Sequence, residues 1–334
     1  MEIKSNFDLT AYTTFKLPVK CKYFAEYEDE EQLKEILKSD IYINNISFQI
    51  GGGSNLVFTK DFEGLILHSK IDYIHKIEET PAEVTLRVGA GTEWDKFVEY
   101  CIDNNLYGTE NLSYIPGEVG ASAVQNIGSY GAEVKDIISK VYCIAKDSGV
   151  ERIFTNEECE YNYRDSIFKK ELKNMYIVVA VEYKLSKIPH FTLTYGPLKV
   201  LDDAHKSLQN IREIICETRD SKLPNPKFLG SVGSFFMNPI VDIKFFNSFI
   251  KDYPNAPHYI ISKDEVKIPA DWLIENSGLK GLQMGGAKVY EKQCLVLVNE
   301  NHATAKDVTG LVAHIIDTVK TKYNIELHPE ANII

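Results

Sequence analysis

Amphipathic helical segments and apolar runs of strand length interleave along this chain, and that alternation confines it to a mixed α+β or α/β body. Over 92–102 the side chains Trp94, Phe97, Val98, Cys101 and Ile102 recur at helical spacing, with Thr92 and Asp95 in capping-box order. The stretch 304–323 repeats the logic: Thr304 and Asp307 open it, and Val308, Leu311, Val312, Ile315 and Val319 form its apolar stripe. Shorter helices are expected over 29–38, 206–217 and 269–277. Strands are expected over 41–50, 64–68, 84–88, 137–145 and 176–185. Pro224 and Pro226 flank Asn225 just after a helical segment, so a new unit is expected to begin near Ser221.

A length of 334 residues suits two or three domains with self-sufficient cores. The balance of 37 Lys+Arg against 48 Asp+Glu gives a charge of −11, which repels phosphate polymers and argues against a nucleic-acid partner. No window approaches the roughly 18 to 20 apolar residues of a membrane helix, and the opening Met1 to Asn6 lacks an apolar signal core. A cytoplasmic location and no membrane partner are therefore expected. The six cysteines are scattered singly and the eight histidines form no cluster, so free thiols and no metal site are expected.

Several segments carry chemical groups in suggestive order. Gly51, Gly52 and Gly53 follow an apolar strand and precede Ser54 and Asn55. Such a run either turns tightly or lets backbone N–H groups converge on a phosphate. Leu56 stands where a dinucleotide fingerprint needs a small residue, which excludes a Rossmann site. In 115–131, four glycines alternate with small residues, while Gln125, Asn126 and Tyr130 offer amide and phenol groups to a polar heterocycle. Arg164 stands among aromatics and suits a carboxylate ligand, or alternatively a salt bridge to Asp165 or a neighbour. Ser234 lies between Gly233 and Phe235-Phe236, where it is either a proton donor in a dry aromatic pocket or a cap on its own turn. The apolar tail around Glu330 is expected to dock, with a solvent-facing glutamate as the alternative.

In combination these segments resemble the UDP-N-acetylenolpyruvoylglucosamine reductase family. The resemblance is carried by Gly51 to Asn55, Glu110-Asn111-Leu112, Ile115-Pro116-Gly117, Gln125-Asn126-Ile127-Gly128, Tyr163 to Ser166, Gly233 to Phe236 with Asn238-Pro239, and Pro329-Glu330. It implies an α+β protein: a two-part FAD-binding fold of the vanillyl-alcohol oxidase and para-cresol methylhydroxylase type, plus a smaller α+β substrate-binding domain. The implied divisions are 1–70, completed by the tail 324–334, then 71–220, and 221–323 for the substrate.

The same resemblance implies non-covalent FAD held by Gly51, Gly52, Gly53, Ser54, Asn55, Ile115, Pro116, Gly117, Gly120, Ala121, Gln125, Asn126, Gly128 and Tyr130. It implies NADPH as reductant and UDP-N-acetylglucosamine enolpyruvate as substrate, held by Tyr195, Lys222, Asn238 and Gln293. Arg164 and Glu330 would stabilise the developing enolate and Ser234 would deliver the proton. Leu193 to Leu198 resembles the tyrosine loop of the type I branch. A monomer is expected. Two positions depart from the family pattern: Ala331 replaces a larger apolar residue, and Glu118 fills a slot more often small or neutral. The competing readings are an alcohol oxidase of the same fold with covalent flavin, and a nucleotide-sugar-binding regulator without the reaction.

Overall fold

A computed structural model describes residues 2–334 as two compact units. The first comprises residues 2–8, Lys20–Gly53 and Phe62–Arg219. Its smaller sheet runs in the order Ile3–Asp8, Lys20–Tyr27, Phe62–Ser69, Ser47–Ile50, and Phe62–Ser69 is parallel to both of its neighbours. Parallel strands need crossovers, and the helix Glu30–Leu37 supplies one, buried through Leu33, Ile36 and Leu37. Asp29 caps that helix by accepting the Gln32 N–H at 2.8 Å.

The larger sheet of this unit is antiparallel, ordered Glu151–Thr155, Ile138–Ala145, Tyr176–Ser186, Glu83–Gly89, Ile74–Glu79. The helix Trp94–Asp103 buries its periodic face in the same core cluster as this sheet, where Trp94, Phe97 and Tyr183 form a ring cluster with centroids 4.7 to 6.0 Å apart. Burying a ring of this size contributes about 2–3 kcal/mol.

The second unit comprises Leu9–Val19, Ser54–Asp61 and Asp220–Ile334. It contains a sheet ordered Gly230–Ser234, Val296–Asn299, Ala287–Val289, Gln283–Met284 and a smaller one ordered Ile240–Asp242, Glu265–Lys267, Tyr259–Ile260. The helix Ala305–Tyr323 forms the capping box foreseen from Thr304 and Asp307. Its Tyr323 packs with Phe249, Tyr253 and Trp272 in an aromatic cluster.

Two local expectations are corrected. The strand expected over 41–50 is confined to Ser47–Ile50, because Ser39 caps a helical turn, Asp40–Ile43, by accepting the Tyr42 N–H at 3.2 Å. The capping box at Thr92 does not form. Glu93 is the N-cap, Thr92 donates to Asp72 at 2.8 Å, and Asp95 takes a forked pair of bonds from Arg212 at 2.7 and 2.8 Å. Within 115–131 the chain also forms a short helix, Val119–Gln125, for which the sequence raises no expectation. Its first two amides donate to the Thr92 and Ala90 carbonyls, so tertiary hydrogen bonds initiate it where no side-chain cap exists. All six cysteines are free thiols. No helix among the described residues is long and apolar enough to cross a membrane.

Candidate active site

In the first unit the two glycine segments meet. A methyl group placed on Gly52 would stand 3.2 Å from the Cα of Gly117, and one on Gly51 would stand 3.2 Å from the Ala121 Cβ and 3.3 Å from Glu118 Oε2. Gly53 and Gly117 have φ of +64° and +121°, a region where side chains are strained. The result is a cradle of bare backbone, with Ile115 half-buried and Pro116 exposed beside it. Gly120 is closed off differently: its face lies against Ala90, where a methyl group would come within 2.9 Å of the Ala90 Cβ.

Glu118 is held by its Oε1, 2.9 Å from His68 Nε2, while its Oε2 is buried and accepts no hydrogen bond. His68 in turn meets Glu26 at 3.0 Å. Burial works against the charged ring, but the hydrogen bonds and charge of these carboxylates outweigh it and hold the imidazole pKa above its ordinary value. Sequence reasoning marked Glu118 as unusual and missed His68, because a histidine inside an apolar strand gives no signal of the partner facing it.

The helix Val119–Gln125 ends at Asn126, which takes a left-handed conformation at φ +48° and is fully buried. Its side chain is committed to the protein: Nδ2 donates to the Asn162 carbonyl at 2.8 Å and to Glu133 at 3.2 Å, and Oδ1 accepts the Lys135 N–H at 3.1 Å. Gln125 is half-buried beside it. Arg164 occupies a two-residue turn closed by reciprocal Asn162 and Asp165 backbone bonds at 3.0 Å, itself at φ +53°. Its guanidinium donates to the carbonyls of Asn126 and Gly128 and lies 5.1 Å from the Tyr163 ring centroid. Gly128 must be glycine for this, since a methyl group there would approach Arg164 Nη1 to 2.8 Å. Asp165 forms an ion pair with Lys170 at 2.7 Å.

Tyr130 packs edge-on against Tyr195 at 6.3 Å. Burial pushes the Tyr130 phenol up, partly offset by the charge of Arg219. Asn111, part of a motif quoted from the sequence but given no role there, fastens this pair of loops: its Nδ2 donates to the carbonyls of Tyr130 and Thr192, each at 2.8 Å.

In the second unit Ser234 ends the strand Gly230–Ser234 after Gly233, whose φ of +68° and the register shift at this point turn the serine outward. Of the two alternatives open for Ser234, a dry pocket formed by the two adjoining phenylalanines is not what their side chains make. Phe235 and Phe236 face inward at 0% and 1% exposure, while Ser234 is exposed. The tail lies alongside: Glu330 donates its N–H to the Phe235 carbonyl at 2.8 Å and Met237 donates to the His328 carbonyl at 2.9 Å. Asn55 Nδ2 donates to the Glu330 carbonyl at 3.0 Å, and Asn332–Ile333 pairs in parallel with Leu56–Val57. The tail is therefore docked, with Ala331 buried.

Asn238 accepts the Ala270 N–H at 2.9 Å and so anchors the helix Ala270–Asn276. Gln293 accepts the Leu295 N–H at 3.3 Å. Lys222 is exposed at the end of the helix Leu208–Lys222, and its charge partly offsets the burial that pushes the Asp271 carboxyl up.

Comparison with known proteins decides what this arrangement belongs to. Residues 225–334 match the family model described as UDP-N-acetylenolpyruvoylglucosamine reductase, C-terminal domain, and residues 21–153 match that of an FAD binding domain. The chain is 44% identical to UDP-N-acetylenolpyruvoylglucosamine reductase of Bacteroides fragilis (strain YCH46), over 99% of this chain and 100% of that protein. It belongs to the UDP-N-acetylenolpyruvoylglucosamine reductase family. The corresponding reductase of Porphyromonas gingivalis (strain ATCC BAA-308 / W83) is 42% identical over the full length of both chains. The fold is similar to that of UDP-N-acetylenolpyruvylglucosamine reductase from Thermus caldophilus, with a TM-score of 0.69, 22% identity, and coverage of 99% and 98% of the two chains. As a UDP-N-acetylenolpyruvoylglucosamine reductase family member with an FAD-binding domain, the chain is a flavin oxidoreductase. At Gly51 and Gly52 a side chain would press on Ala121, Glu118 and Gly117, so bare backbone is what lets the two glycine segments close on each other, and a junction of that kind fits such a cofactor.

Proposed function

We propose that this enzyme reduces UDP-N-acetylglucosamine enolpyruvate to UDP-N-acetylmuramate, using NADPH, in peptidoglycan precursor synthesis in the cytoplasm. When bound, FAD supplies the hydride that adds to the terminal carbon of the vinyl ether. The protein then has to stabilise the charge that develops beside the substrate carboxylate and deliver one proton to the neighbouring carbon. Arg164 stabilises that charge. Its guanidinium is fixed by two backbone carbonyls, so little reorganisation is needed when the charge appears. Glu330 works with Arg164 at the carboxylate, and Ser234 donates the proton.

The observation that carries this reading is the bond from the Glu330 amide to the carbonyl of Phe235, the residue after Ser234, which sets the acid and the hydroxyl on adjoining backbone. We assign FAD, non-covalently held, to Gly51 to Asn55, Ile115 to Gly117, Gly120, Ala121, Gln125, Asn126, Gly128 and Tyr130. Asn126 serves by shaping the loop, because its amide is spent within the protein. Tyr195, Lys222, Asn238 and Gln293 bind the sugar nucleotide, with Lys222 suited to its diphosphate. Residues 1–70 with 324–334 and residues 71–220 form the cofactor-binding portion, residues 221–323 bind the substrate, and the enzyme acts as a monomer.

The test is NADPH consumption by the purified protein with the enolpyruvyl sugar nucleotide. Turnover with release of free FAD on denaturation supports the reading. No turnover, or flavin that stays attached to the denatured chain, overturns it.

A further inference from the structure

His68 lies in the strand Phe62–Ser69, paired with Glu26 on one side and Ile50 on the other, and is 5% exposed. Both of its ring nitrogens meet carboxylate oxygens, Glu26 at 3.0 Å and Glu118 at 2.9 Å. A neutral imidazole has only one N–H, whereas ionised carboxylates only accept, so both bonds form together when the ring is imidazolium. Lys70 lies 3.5 Å from Glu26 Oε1. Tyr27, on the strand beside His68, donates its phenol to Gln49 at 3.2 Å and is kept protonated by burial. Two carboxylates, one ammonium and one imidazolium sum to zero. Loss of the ring proton leaves one negative charge, and Glu118 is the carboxylate farther from Lys70 in this chain of contacts.

That charge sits under the cradle. Glu118 follows directly on Gly117, whose Cα faces Gly52, and its bond-free Oε2 is directed at Gly51. We propose that the Glu26–His68–Glu118 bridge positions and charge-balances the FAD cradle: the imidazolium holds segment 117–118 against Gly51 and Gly52 and cancels the carboxylate beneath the cofactor's phosphates. The inference rests on the assignment of FAD to this cradle. His68 and Glu118 are positioning residues. By reciprocal linkage the cofactor's diphosphate and the His68 proton strengthen each other's binding equally. If FAD raises the His68 pKa by about one unit, FAD affinity falls about tenfold as the ring deprotonates.

The test measures FAD dissociation from diluted holoenzyme by recovered flavin fluorescence between about pH 6 and pH 9, a range that spans imidazole titration. The dissociation constant of the wild type is expected to rise about tenfold across His68 titration, and that of Glu118→Gln to stay flat. Histidine NMR of the wild type, which needs no variant to fold, is expected to show a higher His68 pKa with FAD than without. Parallel pH profiles in wild type and Glu118→Gln, or a His68 pKa indifferent to FAD, overturns the bridge. Gly52→Ala separates the two ideas. Weaker FAD binding at every pH supports the cradle assignment independently, and unchanged binding overturns that assignment and the bridge with it.

Discussion

The main-chain N–H of Glu330 and the carbonyl of Phe235 are 2.8 Å apart, so the last acidic residue of the chain is stitched to the strand end that carries Ser234. Because Phe235 and Phe236 anchor that strand end in the core, the exposed hydroxyl is offered from a fixed base. A group presented in this way is suited to proton delivery. Ser234→Ala is expected to bind the enolpyruvyl sugar nucleotide with unchanged affinity and to lose about 10²-fold or more in kcat. Single-turnover flavin oxidation with the variant checks this, and an unchanged rate would remove Ser234 from the mechanism.

Arg164→Lys retains the charge but loses the planar fork that spans the Asn126 and Gly128 carbonyls. We expect kcat/KM to fall about a hundredfold while the bound-flavin spectrum is unaltered. Gly128→Ala should act on the same group from the other side, since its methyl would press on Arg164 Nη1 and on the Ala132 carbonyl, each at 2.8 Å. Overpacking of this kind costs about 1–3 kcal/mol, read as a lower Tm together with reduced kcat.

Glu110 is 3% exposed and accepts the Gly108 N–H at 2.7 Å. Burial pushes its carboxyl above the ordinary value of 4.5, and the hydrogen bonds from Glu110 and Gly108 backbone only partly offset this. A carboxyl with a raised folded-state pKa stabilises the fold fully below the unfolded value, and that contribution is lost as pH rises through the folded one. Glu110→Gln should therefore gain in Tm relative to the wild type as pH increases from 4.5 toward neutrality. A Tm difference independent of pH would contradict the assignment.

Thr304→Ala removes the side-chain oxygen that accepts the Asp307 N–H at 3.2 Å and so breaks the capping box of the helix Ala305–Tyr323. The expected loss is about 1 kcal/mol, seen as a shift in the denaturant midpoint with no effect on flavin content.

The long helices were legible because their information is local: a stripe repeating at helical spacing and a cap three residues from its partner suffice, as at 304–323. Where a distant residue competes for the same group, local reading fails. Asp95 was free to cap a helix on paper, but in the fold it is taken by Arg212. The helix Val119–Gln125 was hidden for the same reason, because carbonyls of Ala90 and Thr92 start it and no side chain does.

By itself the order of motifs determined which family the chain belongs to and which side-chain chemistries it carries, since residue types and their spacing are properties of the polymer. Tertiary structure alone decided that Gly51 and Gly52 lie against Gly117 and Glu118, that a buried histidine joins Glu26 to Glu118, and that the tail returns to Phe235. Those contacts depend on how sheets and loops pack over long sequence separations, and a repulsive pair such as two carboxylates becomes an attachment only when folding sets a proton-bearing ring between them.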